Sequence, residues 1–242
     1  MAKLLYIADI SKWQGNINFE QLKGQIDGLI IRIGYTGTAD KKAHEDEKVR
    51  INVEGAEKAG IPYSFYYYSE SNLPLTGNRA ANFSINTFRD IQKDLGKTPH
   101  FTEIFFLDIE NLKTLGIRSD GGALPEFEKV MKEKGFISGI YSNQSTFMTS
   151  LGDTPHSIRW VAKWSSIEPD IDYDIWQYTN CRYFRGIEGR VDCSKTYNTA
   201  LIGNYEGEVE KLQDTIETVI DVLNERTKKL SRLLREDYKW QE

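Results

Sequence analysis

The chain has 242 residues, of which 39% are hydrophobic and 28% charged, and its formal net charge is −5. This balance excludes a disordered or fibrous chain, and the acidic excess argues against a general nucleic-acid groove. No apolar run approaches the roughly 20 residues of a membrane span, and two cysteines with three histidines make a poor structural zinc site.

The opening, MAKLLYIADI, has one lysine and a short apolar run that meets Asp9. It lacks the long apolar region and cleavage site of a secretory leader, which predicts synthesis in the cytoplasm. Residues 4–10 read as a strand, and GLIIRIGY at 28–35 as another, buried on both faces. Val49, Val53, Ala56 and Ala59 recur at helical spacing within 43–59, and Gly60 fits a terminator. IPYSFYYYS at 61–69 follows as a strand, with Pro62 at its entry, where a missing donor costs least. Ala80, Phe83, Thr87 and Ile91 share one face of a helix over 79–95. EIFFLDIE at 103–110 is the next strong strand, and LPEFEKVMKEKG at 124–135 a helix. Strands are expected at 136–143, 159–164 and 173–180, with a last short one near 190–194. Strand, helix and strand at this pace predict parallel βαβ units in one sheet. Weak helix signals among the later strands favour an irregular TIM-like β/α barrel with reduced outer helices. An open doubly wound sheet is the structural alternative. No GxGxxG stands between a strand and a helix, so a dinucleotide site lacks support. Cys181 and Cys193 flank a segment containing Gly186 and Gly189, which leaves their pairing open.

Composition changes near residue 204, dividing the chain into a barrel over 1–204 and a tail over 205–242. Leu212, Ile216, Val219, Leu223, Arg226, Leu230 and Leu233 alternate at spacings of four and three, a heptad seam interrupted by one arginine. A helix over 208–239 would run about 48 Å. Such a stripe either folds back on the barrel or pairs with copies of itself, as a coiled coil in a homo-oligomer. The acidic first half and basic second half favour antiparallel or staggered pairing.

The sharpest local feature is FFLDIE. If Asp108 and Glu110 both lie on a strand, they face one way, with Cα atoms about 6.6 Å apart. Acids that end a buried strand are costly unless they face a solvated mouth or have partners, and ligands bind beyond the carboxyl ends of parallel strands. Asp9 and Asp192 have similar settings. Gathered at one mouth, these acids would oppose each other's ionisation, leaving one carboxyl to protonate a glycosidic oxygen while an ionised neighbour stabilises positive charge on a sugar. The spacing alone also fits a solvated turn or a metal site. Trp13, Tyr66, Tyr67, Tyr141, Trp164 and the Trp176–Gln177 pair fall at candidate strand ends, where rings can pack on a pyranose, although each ring also fits a core. His44, His100 and His156 have no nucleophile context and read as surface or local structural residues.

The chain resembles the family 25 glycoside hydrolases, the Chalaropsis-type lysozymes of bacteria and phage endolysins. The resemblance rests on YIADISKWQG at 6–15, GLIIRIGYTG at 28–37, AGIPYSFYYYS at 59–69, FFLDIE at 105–110, GFISGIYSN at 135–143, WVAKW at 160–164, DIWQYT at 174–179 and GIEGRVDCS at 186–194. Together these span about residues 4–203 in the family's order. The resemblance implies an irregular β/α barrel. It also implies hydrolysis of the β-1,4 bond between N-acetylmuramic acid and N-acetylglucosamine in bacterial peptidoglycan, with no metal or organic cofactor. By motif, Glu110 matches the general acid/base and Asp108 the residue assisting the substrate's acetamido group. Asp9 and Asp192 match the flanking acids. Retention through substrate assistance is implied, with direct carboxylate attack as the alternative. Ser194 stands where many relatives have asparagine, and Trp164 where tyrosine is common. The family's frequent C-terminal wall-binding repeats are missing, and multimerisation through the tail is a way to regain avidity. The absence of an export signal resembles an endolysin that is released to the wall from the host cytoplasm.

Overall fold

The computed structural model describes residues 3–110, 122–151, 154, 157–203 and 215–230. The chain divides into two units, Met1–Gly203 and Asn204–Glu242. The strands of the first unit are β1 (Leu5–Ile10), β2 (Gly28–Thr36), β3 (Ala43–Glu45), β4 (Tyr63–Tyr68), β5 (Phe101–Asp108), β6 (Ile137–Asn143), β7 (Ile158–Ala162), β8 (Ile175–Arg182) and β9 (Val191–Thr196). Parallel pairing runs from β1 through β2, β4, β5, β6 and β7 to β8. β9 then closes an eight-stranded barrel, antiparallel to both β8 and β1. β3 lies outside the ring as an antiparallel edge on β2. The fold is thus a mixed α/β barrel, a variant of the TIM-like form, in which the expected parallel pairing holds from β1 to β8 and gives way to antiparallel pairing at β9 and β3. The reason is connection length, because the link from β8 to β9 is too short for a crossover and must be a hairpin.

The main helices among the described residues of this unit are α1 (Phe19–Leu22), α2 (Val49–Ala59), α3 (Pro74–Leu95) and α4 (Ala123–Glu133), with a shorter helical segment from Gln144 to Leu151 after β6. None stands between β7 and β8. α2 starts later than its spacing predicts because 43–45 is spent on β3. α3 starts earlier, with Pro74 at the first turn, where its missing N–H is not needed.

Strand alternation sorts the apolar residues into two layers. Ile7, Ile30, Ile104, Phe106, Trp160 and Ile175 fill the barrel interior, with Leu201 below them. Ile31, Ile33, Phe65, Phe105 and Leu107 face outward and pack with Val53, Phe88 and Phe127 of the helices. A Cβ at Gly139 would collide with the Phe106 ring, so glycine is what lets that ring occupy the interior.

Cys181 is exposed, Cys193 is buried, and both are free thiols. His44 sits at the surface against Asp40, 2.9 Å away, and His156 lies outside the described residues. In the second unit, residues 215–230 form a helix on which Ile216, Val219, Ile220, Leu223 and Leu230 are exposed. The remainder of the predicted 208–239 helix lies outside the described residues. No helix among the described residues is long and apolar enough to cross a membrane.

Candidate active site

The C-terminal ends of the parallel strands surround a cleft of about 380 Å³ lined by Lys12, Trp13, Arg32, Tyr35, Tyr66, Tyr68, Asp108 and Glu110, among others. Asp9 reaches this end of the barrel from β1, and Asp108 is the last residue of β5. Asp192 on β9 sits directly opposite Asp9 in the antiparallel register, so their side chains share one face. The strand ends at Asp108, so Glu110 lies beyond it rather than on it as the sequence spacing suggested. Its approach is pinned. The Ile109 N–H donates to the Tyr141 carbonyl, and Ser142 Oγ donates to the Ile109 carbonyl at 2.6 Å. Ile109 is buried, which leaves Glu110 at the exposed rim.

All four acids hold their protons more tightly than free carboxyls. Burial raises Asp9 well above the usual range, the charge of Asp192 adds to this, and donation from Gln177 opposes it. Burial likewise raises Asp108, with Glu110 and Asp9 reinforcing and Arg32 opposing. Partial enclosure and then Asp192 raise Glu110, with the Tyr141 hydroxyl pulling the other way. Burial raises Asp192. Like charges converging in a half-dry mouth oppose one another's ionisation. Such a cluster can donate a proton while an ionised member stabilises developing positive charge.

Gln177 organises one side of the site and is only 1% exposed. Its Oε1 accepts from Tyr141 Oη and Trp164 Nε1, each at 2.9 Å, and its Nε2 donates to Asp9 Oδ2 at 3.1 Å. Two donors on the oxygen fix the amide orientation and aim its N–H at Asp9. Tyr141 shares a rung with Asp108. Trp13 and Trp164 are 76% and 60% exposed, which leaves two ring faces open to solvent on the barrel's active end. Trp13 is presented by a tight turn over Lys12–Gln14, capped reciprocally by Ser11 and Gln14.

Two expected lining residues lie elsewhere. Tyr66 and Tyr68 line the cleft, but Tyr67 points outward, bonded to Thr36 Oγ1 and edge-on to Phe83 of α3. Trp176 also lies on the outer face. Its Nε1 donates to the Lys163 carbonyl, and its ring packs with Tyr173 and Tyr178 beneath Lys195. Period-two alternation is the physical reason in both cases.

Arg32, Lys12 and Tyr35 were not anticipated as lining, whereas Tyr68, at the end of the same strand as Tyr66, lines the cleft as that strand end suggested. Arg32 follows Ile30 on the inward face of β2, next to a register shift between Arg32 and Gly34. Its Nε donates to the buried Asp46 Oδ2 at 2.6 Å, and its guanidinium lies 5.2 Å from the Tyr35 ring. An arginine inside the apolar run GLIIRIGY was the available signal, because a charge there needs a partner or a cavity. Among the described residues no group of three His, Cys, Asp or Glu side chains is disposed to hold a metal ion.

Residues 8–187 match the model of the family described as glycosyl hydrolases family 25. Lysozyme M1 of Streptomyces globisporus is 24% identical over 210 residues, covering 79% of this chain and 67% of that protein. The catalytic domain of endolysin ply40 from bacteriophage P40 of Listeria monocytogenes superposes with a TM-score of 0.71 at 27% identity, covering 83% of this chain and 97% of that one. A bacterial lysozyme from Streptomyces coelicolor shares the fold, with a TM-score of 0.65 at 21% identity over 83% of this chain and 97% of that one.

Proposed function

The chain belongs to glycosyl hydrolase family 25, and we propose that it is a muramidase that cleaves the β-1,4 bond between N-acetylmuramic acid and N-acetylglucosamine. The observation carrying this reading is the meeting of Asp9, Asp108, Glu110 and Asp192 at one mouth, each with raised proton affinity. In this reading Glu110, at the rim, protonates the leaving glycosidic oxygen. Asp108, beneath it, orients the acetamido group, whose carbonyl attacks the anomeric carbon. Glu110 then takes a proton from a water whose oxygen attacks the anomeric carbon as the bond to the acetamido oxygen breaks, and the product retains its anomeric configuration. Asp192 adds to the enclosure that raises the proton affinity of Glu110, and Asp192 and Glu110 in turn raise that of Asp9. Trp13 and Trp164 offer platforms for neighbouring sugars. Mass spectrometry of products from defined peptidoglycan tests the assignment. Fragments ending in reducing N-acetylmuramic acid are expected, and fragments ending in reducing N-acetylglucosamine, or none at all, reject it.

The tail carries a second proposal, self-association through residues 208–239. Its support is the heptad spacing and the exposed apolar side chains along 215–230. The charged residues of 206–225 are acidic except for Lys211, and those of 226–235 are all basic, so antiparallel copies align opposite signs. Light scattering is expected to give a multiple of the chain mass for the full chain and a single mass after deletion of 205–242. An unchanged association state on deletion counts against the tail.

A further inference from the structure

Trp164 is the exposed end of a hydrogen-bonded chain that finishes on a buried acid. Its ring is open to solvent, but its indole N–H donates inward to Gln177 Oε1 at 2.9 Å. The backbone that carries it is pinned to β8 on both sides. The Lys163 N–H donates to the Gln177 carbonyl at 3.1 Å, and the Ser165 N–H to the Tyr178 carbonyl at 3.2 Å. The Trp176 indole fastens the same segment by donating to the Lys163 carbonyl at 2.8 Å. Trp164 therefore stands on a fixed support, whatever occupies its outer face.

An indole N–H only donates, and this one-way property sets the direction of every bond behind it. The Gln177 atom that meets Trp164 must be the amide oxygen. Tyr141 Oη, 2.9 Å from that same oxygen, must donate to it as well. The amide nitrogen is left to face Asp9 Oδ2 at 3.1 Å, and it donates to that carboxylate oxygen. A tyrosine at position 164 would not impose this order, because a hydroxyl both donates and accepts. Resting on the glycosidase reading for the sugar on its ring, we propose that Trp164 is a positioning residue whose N–H locks the Gln177 amide and so holds an N–H on Asp9. One side chain thus joins a sugar platform to the acid cluster through a single buried amide. Asp9 is faced by Asp192 and Cys193 of β9, Tyr66 of β4, Tyr141 of β6, Asp108 of β5 and Glu110 beyond it. Each of these is an anion once it loses its proton, so their charges resist ionisation of Asp9, and the Gln177 N–H opposes them. Arg32 of β2 acts on Asp108 and Tyr66.

The test compares the parent with Trp164→Phe, which keeps an aromatic face and removes the N–H. The Gln177 amide is then free to turn its oxygen toward Asp9, an arrangement that only a protonated carboxyl satisfies. Carbon-13 NMR of the Asp9 carboxyl is expected to show its titration midpoint raised by about one pH unit in Trp164→Phe. A protonated Asp9 no longer offers negative charge to a developing sugar cation. On a soluble peptidoglycan oligomer, at a pH between the two midpoints, kcat is therefore expected to fall about tenfold while KM changes by less than about twofold. An unchanged midpoint overturns the proposal. So does a rise in KM with kcat intact, which marks Trp164 as a platform alone. A parent that cleaves no glycan removes the glycosidase reading, while the Asp9 titration still decides whether Trp164 sets this acid. Should Trp164→Phe fail to fold, hydrogen exchange of the Trp164 indole in the parent decides instead. Slow exchange is expected from a ring that is 60% exposed, and exchange at the rate of a free indole overturns the proposal.

Discussion

Glu110→Gln is expected to lower reducing-end release from peptidoglycan by about a thousandfold, the scale of a lost general acid. The amide keeps the shape of the side chain but cannot give up the proton. Because Glu110 stands at the exposed rim, the variant should fold normally, with a thermal midpoint no lower than the parent's. The amide also cannot ionise, so it adds no repulsion to the neighbouring acids. The same residue sets the alkaline side of the parent's pH profile. Its carboxyl is raised by enclosure and by Asp192, so the protonated form persists above the ordinary carboxylate range and is lost as pH rises through the elevated value. The kcat/KM of the parent should therefore fall on that limb. Full activity in the Glu110→Gln variant would remove Glu110 from the chemistry.

Asp46→Ala is expected to be the most damaging single change to stability near the site. Asp46 is buried and accepts from Arg32 Nε at 2.6 Å, from the Lys12 N–H at 3.2 Å and from the Lys48 N–H at 3.0 Å. Alanine leaves a buried guanidinium without its counter-charge, a loss of about 3–5 kcal/mol. For a chain of this size that is a fall of roughly 10 °C in Tm. Asp46→Asn retains acceptor oxygen and should fall between the two. Chemical denaturation measures the difference, and a loss in Asp46→Ala below about 1 kcal/mol would show that water or a neighbour already compensates Arg32.

The sequence made some of this architecture visible and hid the rest for identifiable reasons. β1, β2, β5 and β6 stand out because strands buried on both faces are continuous apolar runs. β3 is invisible, since Ala43, His44 and Glu45 form a strand only by pairing with Gly34, Tyr35 and Thr36. The first turn of α3 was obscured by Gly77, which is there because the backbone of Ala123 at the start of α4 packs against it. The four acids were legible because an acid closing a buried strand is anomalous. Asp46 was not, because Glu45 and Glu47 beside it make a run that reads as solvated surface. Tyr67 and Trp176 were misplaced through adjacency. In Tyr66–Tyr67–Tyr68 and Trp176–Gln177, neighbouring residues must face opposite sides of the sheet, so each run could supply the cleft only with alternate members. Gln177 was read as a substrate contact, but its bonding to Asp9, Tyr141 and Trp164 was not legible, because it exists only once β1, β6 and the segment after β7 come together around it.

The antiparallel closing strand has one further consequence. β9 descends from the mouth beside β1, with Thr196 opposite Leu5, and the turn over Thr199–Ile202 then tucks Leu201 beneath the interior. Both ends of the barrel's chain therefore emerge side by side at its floor, opposite the acidic mouth. Adjacent ends remote from the mouth are the geometry that an end-to-end splice needs, and a circular permutant opened elsewhere is expected to keep the mouth unobstructed.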